Sequence, residues 1–208
     1  CRRAVDAGTA AVCVWPDFVQ QSARTLADTP VAIATVVNFP TGDERPYAVR
    51  AVTEQALLDG ADDIDVVLPF RAFMAGDFDW CGALLDEVRA ATLDRAHLKV
   101  ILETGEMANA AQMTAAATFA IDHGADFVKT STGKSAVSAT PTAVGALLDA
   151  IVASDRTIGL KPAGGISDAA TAGAYLDQVE RVMGAGYLTP ATFRFGASGE
   201  LDALLAVT

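Results

Sequence analysis

The fold class that this sequence predicts is α/β, a (β/α)8 TIM barrel, and three observations predict it. Short β-branched runs alternate with amphipathic helical stretches along the chain, a pattern that calls for a parallel sheet. The runs are apolar and bounded by turn residues, as strands buried on both faces are. Charged and polar residues nevertheless share one parity inside them: Asp63 with Asp65, Lys99 with Glu103, Lys129 with Ser131. Under the helices of an open sheet such charges would be buried without partners, whereas in a closed barrel the same parity points them into one lumen.

The elements follow in order. The opening stretch 1–8 reads as the last turns of a helix closed by Gly8. Strands are expected at 11–16, 32–39, 63–69, 98–104, 127–132, 158–164 and 193–198. Helices are expected at 17–27 and 79–91, and between Pro46 at a first-turn position and Gly60. Asn109 caps the next helix, which carries Met113, Ala116, Ala117, Ala120 and Ile121 on a helical period before Gly124. Thr140 and Pro141 start another, with Val144, Leu147, Leu148 and Ile151 as its apolar face, and Ser167 is expected to cap a helix running to about Met183. This makes seven strands, so the reading is a single domain over 1–208 with the first strand and most of the first helix of the barrel absent from the chain.

Composition narrows the function. A net charge of −11 with no visible basic patch argues against a nucleic-acid partner, whose phosphates need one. Apolar runs fall far short of the about 18 residues needed to span a bilayer, and no signal peptide is recognisable, so a cytoplasmic protein without a membrane partner is expected. Cys1, Cys13 and Cys81 are widely spaced and read as free, mostly buried thiols. His97 and His123 form no ligand motif, so neither a metal nor any other cofactor is expected.

Lysine usage is the most informative feature. Of fifteen basic residues only Lys99, Lys129, Lys134 and Lys161 are lysines, three in expected strands and the fourth just after one. Lysines that served solubility would be scattered over helix faces. Arginine stays protonated, whereas a lysine can lose its proton and form an imine. Ammonium groups gathered in one lumen disfavour each other's charge, which suits an amine nucleophile. A carboxylate at Asp65 would keep one lysine protonated while another is free, a division of roles suited to moving protons. Glycine turns end the last two strands, at Gly164-Gly165 and Gly196, where backbone N–H groups and a helix start favour an anion.

Five collinear segments carry a resemblance. They are GADDIDVV from Gly60, LKVILETG from Leu98, GADFVKTSTGK from Gly124, GLKPAGGI from Gly159 and FRFGAS from Phe193. Together they resemble deoxyribose-phosphate aldolase, in order along essentially the whole chain. That resemblance implies a metal-free (β/α)8 barrel that reversibly cleaves 2-deoxy-D-ribose 5-phosphate to acetaldehyde and D-glyceraldehyde 3-phosphate by class I, Schiff-base chemistry. It implies that Lys129 is the imine-forming residue and that Lys161 and Asp65 are its proton donor and acceptor. It places Thr132, Gly133, Lys134, Gly164, Gly165, Gly196, Ala197 and Ser198 at the substrate and its phosphate; Lys99 is a further candidate there. Its partners would be a small sugar phosphate and an aldehyde, and a homodimer is the assembly it leads one to expect. Three features depart from the family pattern: the first-strand Asp-Leu-Thr motif is absent, Ser167 stands where many members have arginine, and Gly199 replaces a frequent serine. The competing readings are another imine-forming aldolase or transaldolase, and a non-catalytic sugar-phosphate-binding barrel.

Overall fold

The computed structural model describes residues 1–197 and Leu201. The architecture is α/β: six strands, β1 (Ala11–Val14), β2 (Ala32–Val37), β3 (Asp63–Val67), β4 (His97–Ile101), β5 (Phe127–Lys129) and β6 (Gly159–Lys161), follow one another in chain order in a parallel sheet. The helices are α1 (Arg2–Asp6), α2 (Val19–Leu26), α3 (Pro46–Leu58), α4 (Phe70–Met74), α5 (Phe78–Thr92), α6 (Ala110–Asp122), α7 (Pro141–Ala153) and α8 (Ala169–Met183). Among the described residues, no helix is long and apolar enough to cross a membrane. Two compact units can be delineated, Cys1–Val100 with His123–Ala125, and Ile101–Asp122 with Asp126–Thr208.

In the first unit, α1 gives way to Gly8 at φ +62°, the left-handed residue a helix end favours. Helices α3 and α5 pack together; α3 buries Val49, Thr53 and Ala56, and α5 buries Leu84, Leu85 and Val88 among others. Each fully buried leucine there contributes about 2 kcal/mol. The short helix α4 has no counterpart in the sequence reading, because five residues are too few to display a helical period. Cys81 is buried as expected, and burial, with Asp77 nearby, pushes its thiol up to about 11. Cys1 and Cys13 are exposed, which corrects the expectation of mostly buried thiols: Cys13 lies on β1, whose neighbour among the described strands is β2 alone.

In the second unit, all five residues expected on the inner face of α6 are buried, and so are the four expected on α7. Asn109 Oδ1 accepts from Gln112 N at 3.0 Å and Thr140 Oγ1 from Ala143 N at 3.1 Å, so both expected caps form. The cap of α8 is Asp168 rather than Ser167. Asp168 Oδ1 accepts from Thr171 N at 2.8 Å, and Ser167 only donates to Asp168 at 3.4 Å. A carboxylate outdoes a hydroxyl here because it also answers the positive end of the helix dipole. The donors from Thr171 hold its carboxyl below the usual carboxylate range.

The strands are shorter at their C-terminal ends than the sequence suggested. Asn38 (φ +56°), Glu103 (φ +55°) and Gly164 (φ +78°) occupy left-handed backbone there and cannot continue an extended ladder. The expected strand at 193–198 is reduced to two parallel bridges, Leu160↔Phe193 and Ala163↔Gly196. Leu160 N donates to Thr192 O and Gly196 N to Pro162 O, but Pro162 has no N–H for the rung between. Ser198 and Gly199 lie outside the described residues.

Candidate active site

In the first unit, the acidic and basic residues of β3 and β4 form a cross-strand ladder. Side chains two residues apart on a strand share a face. Asp63 and Asp65 therefore project to one side of β3, and His97 and Lys99 to one side of β4. The Lys99 ammonium lies 2.8 Å from Asp63 Oδ2 and 3.5 Å from Asp65 Oδ1, with both carboxylates and the ammonium essentially inaccessible to solvent. His97 Nδ1 hydrogen-bonds Asp63 Oδ1 at 3.0 Å, while its side chain remains 58% exposed. The order from surface to interior is thus His97, Asp63, Lys99, Asp65. The structure places Lys99 as the shared counter-ion of two carboxylates.

In the second unit, Lys129 ends β5 and Lys161 ends β6, and the two are directly paired in the parallel register. Adjacent strands run about 4.8 Å apart, so the two side chains leave the sheet side by side on one face. Each residue is only 6% exposed. Beyond Lys129, Thr130 is held between strands: its hydroxyl donates to Ala163 O at 3.3 Å and accepts from Ala163 N at 3.0 Å. This pair fixes the ends of β5 and β6 just past the lysines.

Glu103 organises the turn that follows β5. Its carboxylate accepts from Thr132 N at 3.3 Å, from the Thr132 hydroxyl in a short bond, and from Ser135 Oγ at 2.9 Å. Thr132 Oγ1 in turn accepts from Lys134 N at 3.0 Å. Gly105 lies so close beneath this turn that a Cβ would come within 2.0 Å of Val137 O. Lys134 itself is exposed.

Three of the glycines singled out in the sequence approach one another. A Cβ on Gly164 would meet Ser138 Oγ at 2.6 Å and Gly133 Cα at 3.2 Å, and one on Gly196 would meet Ala163 Cβ at 2.6 Å and Lys161 Cε at 3.5 Å. Gly133, Gly164 and Gly165 all have positive φ, near +75°. The N–H of Gly164 donates to Gly196 O and that of Gly196 to Pro162 O. Both N–H groups are therefore engaged within the backbone, while Gly164 makes room for Ser138 and Gly133, and Gly196 for Ala163 and Lys161. Ala197 is exposed at the end of this stretch, and Ser198 lies outside the described residues.

Several residues that shape these arrangements were not singled out as site residues in the sequence. Thr130, Ser135 and Ser138 carry no pattern of their own, because their role depends on which strand ends lie opposite them. Asp63 and His97 did carry a signal, the two-residue spacing from Asp65 and Lys99. Among the described residues, no group of three His, Cys, Asp or Glu side chains is placed to hold a metal ion.

Comparison with known proteins shows the family. The model of the DeoC/LacD family of aldolases matches residues 1–198. The deoxyribose-phosphate aldolase of Agrobacterium fabrum is 50% identical over 200 residues, which cover 96% of this chain and 77% of that protein. A crystal structure from Coccidioides immitis, provisionally assigned as a deoxyribose-phosphate aldolase, superposes with a TM-score of 0.85 at 26% identity, over 100% of this chain and 76% of that one. The tetrameric deoxyribose phosphate aldolase of Aeropyrum pernix shares the fold, with a TM-score of 0.80 at 22% identity, over 100% of this chain and 82% of that one. The chain belongs to the DeoC/LacD family of aldolases.

Proposed function

We propose that this chain is a class I aldolase that reversibly cleaves 2-deoxy-D-ribose 5-phosphate to acetaldehyde and D-glyceraldehyde 3-phosphate, with Lys129 as its imine-forming residue. The observation that carries the reading is the buried, register-paired Lys129 and Lys161 in a chain of this family. In the synthetic direction the Lys129 amine attacks the acetaldehyde carbonyl, and loss of water leaves a protonated imine. That imine is an electron sink: removal of a methyl proton sends the carbon–hydrogen pair towards nitrogen and gives an enamine. Asp65 and Lys161 move this proton, with the Thr132 hydroxyl in the relay. The enamine carbon then bonds to the aldehyde carbon of glyceraldehyde 3-phosphate, whose oxygen takes up a proton. Water releases the product and restores the amine. Cleavage is the same path reversed.

The phosphate is assigned to the turn of Gly133 and Lys134 and to the strand ends at Gly164, Gly165, Gly196, Ala197 and Ser198. The exposed ammonium of Lys134, next to Gly133 on that turn, supports this. Binding the unreactive phosphate would orient the reacting carbon. Lys99 acts through Asp65 rather than on the phosphate, since its ammonium is buried between two carboxylates. Arrangement of the strands as one incomplete (β/α)8 barrel domain over 1–208 belongs to the same reading and rests on the parity of the charged strand residues. The protein would work in the cytoplasm without a metal, as a homodimer.

The test is cleavage of 2-deoxyribose 5-phosphate, followed by release of acetaldehyde. The native chain should turn it over and Lys129→Leu should be inactive. Normal turnover by Lys129→Leu would remove the imine mechanism, and no cleavage by the folded native chain would favour a binding role.

A further inference from the structure

Six hydroxyl side chains lie between the end of β5 and the start of α7. Four of them hold this stretch in shape: Thr130 bonds to Ala163, Thr132 and Ser135 to Glu103, and Thr140 to the N–H of Ala143. Ser131 is fully buried. Ser138 is half-buried, and its hydroxyl bonds to no described residue. We propose that the Ser138 hydroxyl is a further substrate-binding group, donating a hydrogen bond to the phosphate of the sugar and so contributing to the choice of a phosphorylated over a free sugar. This inference rests on the reading of Gly133, Lys134, Gly164 and Gly165 as the phosphate site.

The place of Ser138 is closely set. A Cβ on Gly164 would come within 2.7 Å of Ser138 Cβ and 2.6 Å of its Oγ, so the serine side chain lies against the Gly164 backbone. Gly133 Cα is 3.2 Å from that same point, which brings the turn after β5, the turn after β6 and Ser138 together. One residue further on, Ala139 N donates to Ala163 O at 3.3 Å and ties the loop to the end of β6. Packing accounts for the Ser138 Cβ, and an alanine would fill that contact as well. The hydroxyl is what an alanine would lack. It has a donor to spare where the turn of Gly133 and the exposed Lys134 meets that of Gly164, which suits an anion. A phosphate monoester accepts through charged oxygens, and a hydrogen bond to a charged acceptor is stronger than a neutral one.

The contribution can be read as a preference: kcat/KM for 2-deoxyribose 5-phosphate divided by kcat/KM for 2-deoxyribose, both followed by acetaldehyde release. Ser138→Ala keeps the Cβ against Gly164 and removes only the hydroxyl. The preference should fall about tenfold, carried mainly by a higher KM for the phosphorylated sugar. Ser138→Asp sets a carboxylate against the phosphate and should lower the preference by about a hundredfold, since like charges brought together cost several kcal/mol.

A native preference in Ser138→Ala would overturn the inference while leaving the aldolase reading intact. So would an equal loss on both sugars in folded protein, because a loop that had merely shifted would not single out the phosphate. If Ser138→Ala does not fold, Ser138→Asp decides, and an unchanged preference there overturns the inference. A folded native chain that cleaves both sugars equally well overturns the phosphate site and the inference together. One that cleaves neither overturns the aldolase reading, and the inference with it.

Discussion

Glu103 occupies left-handed backbone at φ +55°, where a non-glycine residue costs about 1–3 kcal/mol. The conformation aims its buried carboxylate at three donors on the turn after β5: the Thr132 N–H, the Thr132 hydroxyl and the Ser135 hydroxyl. The turn that carries Gly133 and Lys134 is therefore shaped by an acid that, on this account, touches no substrate. Glu103→Gln replaces one accepting oxygen with an N–H₂ facing donors, which leaves a buried polar group unmatched. The expected outcome is a KM for deoxyribose 5-phosphate raised by about tenfold, the equivalent of about 1.4 kcal/mol of lost binding. Steady-state kinetics check this, with acetaldehyde trapping on Lys129 as the control that should not change. A variant with native KM would show that the turn holds its shape without Glu103. The lysines themselves were legible in the sequence because lysine is scarce and confined to strands and strand ends. Glu103 was legible as an inward residue, but its role was not, since its partners lie about thirty positions later on another strand end.

Helices and strands differ in how much of them the sequence disclosed. Every residue expected on the inner faces of α6 and α7 is buried, with Ala143, Ala146 and Ala150 widening that of α7, because a helical period is a local property. The caps at Asn109 and Thr140 also form as expected. Thr140→Ala removes the acceptor of the Ala143 N–H and should destabilise the protein by about 1 kcal/mol. A urea titration measures this directly, and an unchanged midpoint would mean that another group takes over the cap. The α8 start was misjudged by one residue because Ser167 and Asp168 are both good caps, and only the observed backbone decides between them. Strand ends were overextended for a related reason. The expected strands extend through Asn38, Leu102 and Thr130 behind runs of apolar residues, but the backbone turns where Asn38, Glu103 and Gly164 adopt positive φ. Nothing in a run of apolar residues announces that change. The last strand failed for a clearer cause, since Pro162 interrupts the ladder to 193–196, and a proline inside an expected strand was a signal that could have been used.

At the scale of the whole molecule, the acidic balance leaves a protein whose few lysines are reserved for its interior and its turns. The three cysteines offer a test of its packing. Burial raises the Cys81 thiol from 9.0 to about 11, whereas an unfolded chain would ionise it nearer the ordinary value. A raised value means that the native state keeps its proton longer than the unfolded state does. The contribution is then fully present below about pH 9 and lost as pH rises from 9 to 11. Thermal midpoints should fall across that window and fall less in Cys81→Ala; identical slopes would mean that the site admits water. The central claim is a covalent one, that this fold brings an aldehyde to Lys129 as an imine. The most direct measurement is to incubate the protein with acetaldehyde and borohydride, digest it, and locate the reduced adduct by mass spectrometry. The account predicts an ethyl group on Lys129 and on no other lysine. An intact, folded protein that acquires no adduct, or acquires it on Lys99, Lys134 or Lys161 instead, would contradict it.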